Sequence, residues 1–363
     1  DDIHKYYNWY DEKTFFTLRD GETFTTDKTP GRPYISQELS TGYPDADTGH
    51  AIKHYIYTHM NPQAWVGRWA YEDKDPQYFL ERHAQITKET AEVVRSSYRE
   101  SSAGVMLFAL NSWFKDLYDV NKITPWPTLD AMRMAHEPVM ACVHLKSRNF
   151  YVGTDETVDA FVINDSADRE TIDEVAVEWQ VVYEDDILSS GFMSWSGSLV
   201  YFSNFSGRLT FSLPTYIPEE KVNAVLKLRL HGNGRFISSN EYKIIVCQRD
   251  FAKPSISQMS VGYFGDDDNL GALMESKGIA VSRLQSLDMI LPGMWDVLVI
   301  GKLHKRPKGY EAILPYMENG GHVLLHDNGN HTLELFSHEI YGYKTDPREI
   351  VTPVDYGRSV FAG

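Results

Sequence analysis

Apolar and polar residues alternate with a period of two between residues 139 and 250. The alternation is clearest over residues 158–165, 175–183 and 227–232, with turn residues between these segments. This pattern predicts half-buried β-strands, and about seven short strands over roughly 110 residues predict an immunoglobulin-like β-sandwich. We expect a structural spacer here, with carbohydrate binding as the alternative.

The pattern changes again over residues 255–363, where apolar runs alternate with amphipathic segments. Strands are predicted at 259–265, 279–284, 296–301 and 322–327, and helices at 269–277 and 310–318. Strands that alternate with helices favour a parallel sheet with right-handed crossovers. Residues 255–363 are therefore predicted to be a separate α/β domain.

Before residue 136 the hydrophobic pattern predicts further alternation of strands and helices. Residues 75–98 carry apolar positions at helical intervals, with charged residues between them, which predicts a packing helix with Asp75 as N-cap and Pro76 in the first turn. Residues 104–110 are uninterrupted apolar, as expected for a strand covered on both faces. Within residues 121–145 a helix is expected to open at Pro127-Thr128, with Pro138 as its exit and the domain boundary.

A short strand is predicted at Tyr34-Ile35, and it delivers Glu38 to its C-terminal end. In a β/α barrel such strand ends face the substrate, so Glu38 is a candidate nucleophile or acid; the alternative is a capping or surface carboxylate. A loop rich in Gly, Pro and Asp follows at residues 41–49. Loops after barrel strands often carry binding residues, which makes Asp45, Asp47 and His50 candidates.

Three further segments are informative together: residues 6–10 (Tyr-Tyr-Asn-Trp-Tyr), 32–38 (Arg-Pro-Tyr-Ile-Ser-Gln-Glu) and 104–109 (Gly-Val-Met-Leu-Phe-Ala). In order and spacing they resemble the last strands of the catalytic barrel in glycoside hydrolase family 2. That family holds the β-galactosidases and β-glucuronidases. The resemblance covers residues 1–136 and implies the C-terminal part of a TIM barrel, a partial (β/α)8 barrel. It implies a retaining β-glycosidase, most similar to β-galactosidases, that hydrolyses terminal β-linked sugars with Glu38 as nucleophile and Tyr6 orienting it. It also implies substrate-binding residues: Tyr7, Tyr10, Tyr43, Asp45, Asp47, Phe108, Asn111 and Trp113.

The family's acid/base glutamate precedes the Tyr6-Tyr7 segment, so we expect it outside these residues, on the remainder of the same enzyme. The start at Asp1-Asp2-Ile3-His4 is consistent with a C-terminal part of a longer chain. Two alternatives remain open. One is a non-catalytic accessory or oligomerisation fragment of a glycosidase, and the other is a β-glucuronidase or another retaining glycosidase of the same clan.

The α/β region resembles the flavodoxin-like fold of class I glutamine amidotransferases. Where those enzymes carry a nucleophilic Cys after a strand, this sequence has His326-Asp327-Asn328-Gly329, so the region is expected to be non-catalytic. The segment from Gly262 to Asp268 has glycines, but its three consecutive aspartates would repel phosphates. Calcium binding by Asp266, Asp267 and Asp268 is the alternative to a solvated acidic loop.

Composition narrows the function classes. The chain has 363 residues and a formal net charge of −16, which argues against nucleic-acid binding. Only Cys142 and Cys247 occur, so no disulfide framework is expected, although a single bridge stays open. No apolar run is long enough for a membrane span. We expect a carbohydrate substrate, no cofactor, no metal, a homo-oligomer, and a periplasmic or secreted location.

Overall fold

The computed structural model describes residues 2–3, 35–39, 44–50, 76–97, 104–107, 110–251 and 259–326. These residues belong to two compact units: the ranges up to Phe251 lie in the first unit, and residues 259–326 lie in the second. Several β-sheets and few helices make up the described part of the chain.

The first unit contains a parallel sheet of three strands, β1 (Asp2–Ile3), β2 (Ile35–Leu39) and β3 (Gly104–Leu107), in the order β1-β2-β3. The predicted strands at residues 35 and 104 are thus confirmed. The strand at 104 is shorter than predicted, because helix α2 (Leu110–Trp113) already begins at Leu110. Met106 is 59% exposed, so the expectation of a strand covered on both faces was wrong. A two-stranded antiparallel ribbon of β4 (Phe114–Lys115) and β5 (Thr124–Pro125) follows.

Two longer helices frame this region. Helix α1 spans Gln77–Ser97 and confirms the predicted helix; the backbone N–H of Leu80 donates to the Pro76 carbonyl at its start. Helix α3 spans Pro127–Ala135 and opens at Pro127 as predicted, since a proline at the first position needs no hydrogen-bond acceptor for its nitrogen. It ends at Ala135, ahead of the predicted exit at Pro138, and residues 139–144 form the first strand of the region predicted to be β-sheet.

Eight strands follow, and their antiparallel pairing confirms the period-two pattern. They are β6 (Val139–His144), β7 (Asn149–Tyr151), β8 (Asp155–Asn164), β9 (Ala176–Tyr183), β10 (Asp186–Ser194), β11 (Ser203–Ser212), β12 (Lys221–Gly232) and β13 (Arg235–Cys247). One sheet has the order β11-β8-β6 and the other β10-β9-β12-β13-β7, in which only the short β7 pairs in parallel.

The inward-facing residues of both sheets share one apolar core. Val162, Phe211, Leu226 and Val246 are fully buried in it, and Phe211 meets the ring of Phe150 edge-on at 5.7 Å between centroids. Burial of such side chains is the main source of stability for the two sheets. Every residue of β6 is buried, on its outer face as well, because α1 covers that face.

A glycine in the edge strand β10 has a steric reason. Gly191 pairs with Trp179 of β9, and a Cβ atom on Gly191 would lie only 2.5 Å from the Trp179 ring. The indole ring therefore occupies the space that a side chain at position 191 would need. Glycine inside a strand commonly marks such a close approach.

The second unit is a parallel sheet that follows the prediction closely. Its strands are β14 (Ser260–Phe264), β15 (Ala280–Arg283), β16 (Val297–Ile300) and β17 (Val323–Leu325), in the order β15-β14-β16-β17. Helix α4 (Asn269–Ser276) connects the first two strands, and a short 3₁₀ turn (Tyr310–Ala312) with helix α5 (Ile313–Glu318) precedes the last. The strand order reverses direction between β14 and β16, the position where open α/β sheets form a crevice.

Candidate functional site

Glu38 is the penultimate residue of β2, the middle strand of the parallel sheet. The pairing of β2 with β3 shifts register beside it: Ser36 is opposite Val105, and Leu39 is opposite Leu107. Two residues of β2 therefore face one residue of β3, as in a β-bulge. Bulges are common next to active sites because they change the direction of a side chain. The structure describes the backbone of Glu38 and not its side chain.

Several predicted site residues lie outside the described residues. These are Tyr6, Tyr7, Tyr10, Tyr43 and Phe108. Asp45, Asp47, His50, Asn111 and Trp113 are described, and the structure brings most of them together near the carboxyl end of β3.

The loop at residues 44–50 is a compact turn organised by Asp45. Its Oδ1 accepts hydrogen bonds from the backbone N–H and the hydroxyl of Thr48, at 2.9 and 2.8 Å, and from the N–H of Asp47 at 3.2 Å. These bonds from Thr48 lower the pKa of Asp45, so the carboxylate is ionised. Asp47 itself is exposed, and the backbone carbonyl of His50 accepts the N–H of Asp45 at 2.7 Å.

Asn111 and Trp113 join this turn to the end of β3. The Asn111 amide donates to the Pro44 carbonyl, and the Trp113 indole donates to the Leu107 carbonyl, both at 3.3 Å. The indole of Trp126 in turn donates to the Asn111 carbonyl at 3.1 Å. The turn, α2 and the end of β3 are thus one hydrogen-bonded group at the carboxyl edge of the sheet, where β/α folds place their active sites.

Several charged residues of α1 are buried, although the sequence pattern predicted them only as the polar positions of a packing helix. Lys88 and Glu92 form an ion pair of 2.8 Å with side chains only 5% and 1% exposed. Glu92 also accepts hydrogen bonds from the Asn240 amide at 2.8 Å and the Tyr242 hydroxyl at 3.0 Å. Burial and the neighbouring charge of Glu92 raise the pKa of Tyr242 well above its usual value. We call Lys88, Glu92, Asn240 and Tyr242 the α1 network.

Two further ion pairs join α1 to the two sheets of β6–β13, which we call the sandwich. Glu89 pairs with Arg148, and Arg95 pairs with Asp165 at 2.9 Å. The Arg95 guanidinium also donates to the carbonyls of Ala135 and Glu137, at 2.5 and 3.1 Å, and thereby satisfies the C-terminal end of α3. For the Lys88–Glu92 pair, the sequence offers one indication, the spacing of the two residues by four positions. That spacing is equally common on solvated helix faces.

The three consecutive aspartates at residues 266–268 make contacts within the protein. Asp266 accepts the backbone N–H of His304 at 2.5 Å, and Asp267 accepts the N–H of Asn269 at 3.1 Å. Asp268 binds the Arg283 guanidinium through both oxygens, at 2.7 and 2.8 Å. Among the described residues no group of three or more His, Cys, Asp or Glu could hold a metal ion.

Both cysteines, Cys142 and Cys247, are free and buried, so no disulfide joins them. Burial raises the pKa of the Cys142 thiol, so it is protonated and serves as a small apolar side chain of β6. Within the described ranges, no helix combines the length and the apolar character needed to cross a membrane.

Comparisons with known proteins give no family for this chain. No protein-family model matches the sequence. No curated protein matches it either.

Solved structures with partial likeness include glycosidases, all at low identity. The exo-chitosanase CsxA of Amycolatopsis orientalis is 13% identical, with a TM-score of 0.38, over 67% of this chain and 30% of that one. A candidate β-galactosidase from Bacteroides fragilis is 11% identical, with a TM-score of 0.22, over 52% of this chain and 28% of its own. The sporulation control protein Spo0M of Bacillus subtilis is 15% identical, with a TM-score of 0.22, over 30% of this chain and 48% of its own. This chain therefore spans less than half the length of each, and these likenesses define neither its fold nor its activity.

Proposed function

We propose that this chain carries the nucleophile of a retaining β-glycosidase, of the β-galactosidase-like type, and that Glu38 is that nucleophile. The observation that carries the proposal is the position of Glu38 at a bulge near the carboxyl end of the middle strand of a parallel sheet. The resemblance of residues 6–10, 32–38 and 104–109 to the family 2 barrel supports it independently of the structure.

In the proposed reaction the Glu38 carboxylate attacks the anomeric carbon, and the bond to the leaving group breaks as the new ester bond forms. Water then attacks the same carbon, releases the sugar and regenerates the carboxylate. A retaining mechanism needs a second carboxyl group about 5–5.5 Å away to protonate the leaving oxygen, and we assign none of the described residues to that role. Tyr6 orients Glu38 in this proposal.

The same proposal gives the described neighbours supporting tasks. Asp45, Asn111 and Trp113 use their polar atoms to hold the turn against the end of β3. They would thus shape the sugar site, with Asp47, Tyr7, Tyr10, Tyr43 and Phe108 completing it. The proposal includes a partial (β/α)8 barrel for residues 1–136, an immunoglobulin-like sandwich for 139–250 and a flavodoxin-like, non-catalytic domain for 255–363.

Covalent trapping tests the nucleophile directly. The protein that contains this chain is incubated with 2-deoxy-2-fluoro-β-galactosyl fluoride and digested, and its peptides are analysed by mass spectrometry. Fluoride leaves without protonation, so trapping does not require the acid/base residue. We expect the adduct on the peptide that contains Glu38. The glucuronyl analogue, run in parallel, distinguishes a β-glucuronidase.

Two variants sharpen this test. Glu38→Ala should abolish turnover, by about 10⁴-fold or more, and azide should restore it with formation of a glycosyl azide of inverted configuration. Glu318→Gln removes an exposed carboxylate of α5 and should leave both trapping and turnover unchanged. An adduct on a different carboxylate, or full activity of the Glu38→Ala variant, would overturn the assignment. Failure of both probes to label any peptide would favour the accessory role.

A further inference from the structure

A large open cavity lies between the first half of α1 and the strands β7, β12 and β13. Its volume is about 890 Å³. We call it the α1 groove, and the lining residues that matter here are Tyr78, Gln85, Lys146, Asn149, Asn223 and Lys243. Ligand sites for small molecules are commonly cavities of about 300–1,000 Å³. The size of the groove thus suits a ligand of two sugar rings.

The charge of the groove differs from that of the protein as a whole. Among the described lining residues, Lys146, Arg148 and Lys243 are balanced by one carboxylate, that of Glu81, whereas the chain has a formal net charge of −16. Lys243 is paired with Glu81 at 2.7 Å, and Arg148 is paired with Glu89. Lys146 is exposed and makes no ion pair with the described part of the chain. One positive charge is therefore available to a ligand.

Three side-chain amides surround the groove with unused hydrogen-bonding groups. Gln85 is half-buried, and Asn149 and Asn223 are exposed. None of these amides is hydrogen-bonded to another residue that the structure describes. An amide offers two donors and an acceptor, which matches sugar hydroxyls, since each hydroxyl both donates and accepts.

An aromatic ring completes the set. Tyr78 lines the groove near the start of α1, and its side chain is 54% exposed. An exposed ring beside amides can pack against the apolar face of a sugar while its neighbours bind the hydroxyls. The groove thus combines an aromatic ring, three neutral amides and, beside the paired Arg148 and Lys243, the ammonium of Lys146.

We propose that the α1 groove binds a saccharide that carries a carboxylate, such as a uronic acid residue, with Tyr78 against the sugar ring and Lys146 paired to the carboxylate. None of the lining residues that the structure describes belongs to β1–β3, to the turn at 44–50 or to α2, so the site goes beyond the proposed catalytic function. Arg148 and Lys243 are already paired with Glu89 and Glu81, so among the described lining residues Lys146 is left to match one carboxylate. An acidic peptide would bring several negative charges and is therefore disfavoured.

Calorimetric titration of the full-length protein tests the proposal with two matched probes. Cellobiouronic acid and cellobiose differ only by the replacement of one carboxylate with a hydroxymethyl group. To prevent cleavage, the titrations use the Glu38→Gln variant as background. We expect the uronate to bind about 2- to 5-fold more tightly, the range expected for one exposed ion pair.

Substitutions then locate the binding site. Lys146→Gln should remove the preference for the uronate and leave cellobiose binding unchanged. Tyr78→Ala should weaken both sugars about fivefold or more, by loss of the apolar platform. Lys277→Gln and Tyr118→Ala are matched controls, since both residues are exposed and neither lines the groove; they should change nothing.

Three results would overturn the proposal. The first is no binding of either sugar at millimolar concentration, and the second is binding that both groove variants leave unchanged. The third is tighter, Lys146-dependent binding of a hexaglutamate peptide than of the uronate, which would make the groove a peptide site. Circular dichroism of each variant confirms that the fold is retained. Labelling of Glu38 by the fluorosugar tests the catalytic proposal separately.

Discussion

Ion pairs of similar geometry occur in two very different surroundings in this protein. In the first unit the Lys88–Glu92 pair is almost completely buried between α1 and the sandwich. In the second unit Arg283 bridges Asp268 and Glu275 at 2.7 and 2.6 Å, but its side chain is 38% exposed. Both sets have short contacts, so distance alone does not distinguish them.

The difference lies in the cost of removing one partner. A buried charge has lost its water shell, and only its protein partners compensate for that loss. An exposed charge that loses its partner is rehydrated at once, so exposed pairs contribute little. We therefore expect the α1 network to be sensitive to the loss of either charge, whereas the Arg283 cluster should add little to the second unit.

The largest effect is expected for Glu92→Leu. This change leaves the Lys88 ammonium buried without its counter-ion and removes the acceptor of Asn240 and Tyr242. We expect the free energy of unfolding to fall by about 3–5 kcal/mol, measured by urea denaturation of the whole protein.

The double variant Lys88→Met/Glu92→Leu is the control for that result. It removes both charges together, so it should recover a large part of the loss, and the coupling between the two sites should be well above the error. Equal losses in the single and double variants would show that the lost packing, and not the unpaired charge, is responsible.

A smaller effect is expected for Tyr242→Phe. The Tyr242 hydroxyl accepts the N–H of Val143 at 3.1 Å and donates to Glu92, so its loss should cost about 1–3 kcal/mol at neutral pH. Burial raises the pKa of Tyr242 in the folded protein, so its stabilising effect is complete below the unfolded-state pKa of about 10 and is lost as the pH rises further. The variant should therefore lose stability less steeply above about pH 10 than the wild type does.

Urea midpoints measured across this alkaline range check the prediction. Tyr118→Phe is the matched control, because Tyr118 is 92% exposed and lies outside the buried α1 network. Parallel alkaline slopes of the Tyr242→Phe variant and the wild type would contradict the buried network as the cause.

The smallest effect is expected for Arg283→Gln. The cluster of Arg283, Asp268 and Glu275 is exposed, so the thermal midpoint of the second unit should stay within experimental error, and added salt should make no further difference. A clear loss of stability would mean that solvent exposure is a poor guide to the strength of ion pairs in this protein.

The elements that follow local patterns could be predicted from the sequence. Alternation at 158–165 and 175–183 gave β8 and β9, and the apolar runs near 260 and 297 gave β14 and β16. The glycine at position 191 could not be predicted, because the ring of Trp179 on the paired strand occupies the space that a side chain there would need. Local sequence carries no information about such a partner.

The candidate site was predicted in part, for a related reason. Glu38 could be selected because a strand end is visible in the sequence, but the bulge beside it depends on the register with β3. Asp45 was expected to bind substrate, and the structure shows its carboxylate engaged by Thr48. The charges of α1 could not be assigned to the sandwich, since their partners Asn240, Tyr242 and Arg148 lie far along the chain.

The attachment of α1 to the sandwich restricts how this protein can be divided or recombined. A cut at Pro138 would separate Glu92 from Asn240 and Tyr242. Each fragment would then expose a surface that mixes apolar side chains with polar groups that have lost their partners. A cut just after Phe251 would keep all these partners together. The unit to express as a fragment, and the unit that recombination could exchange during evolution, is therefore the sandwich together with α1.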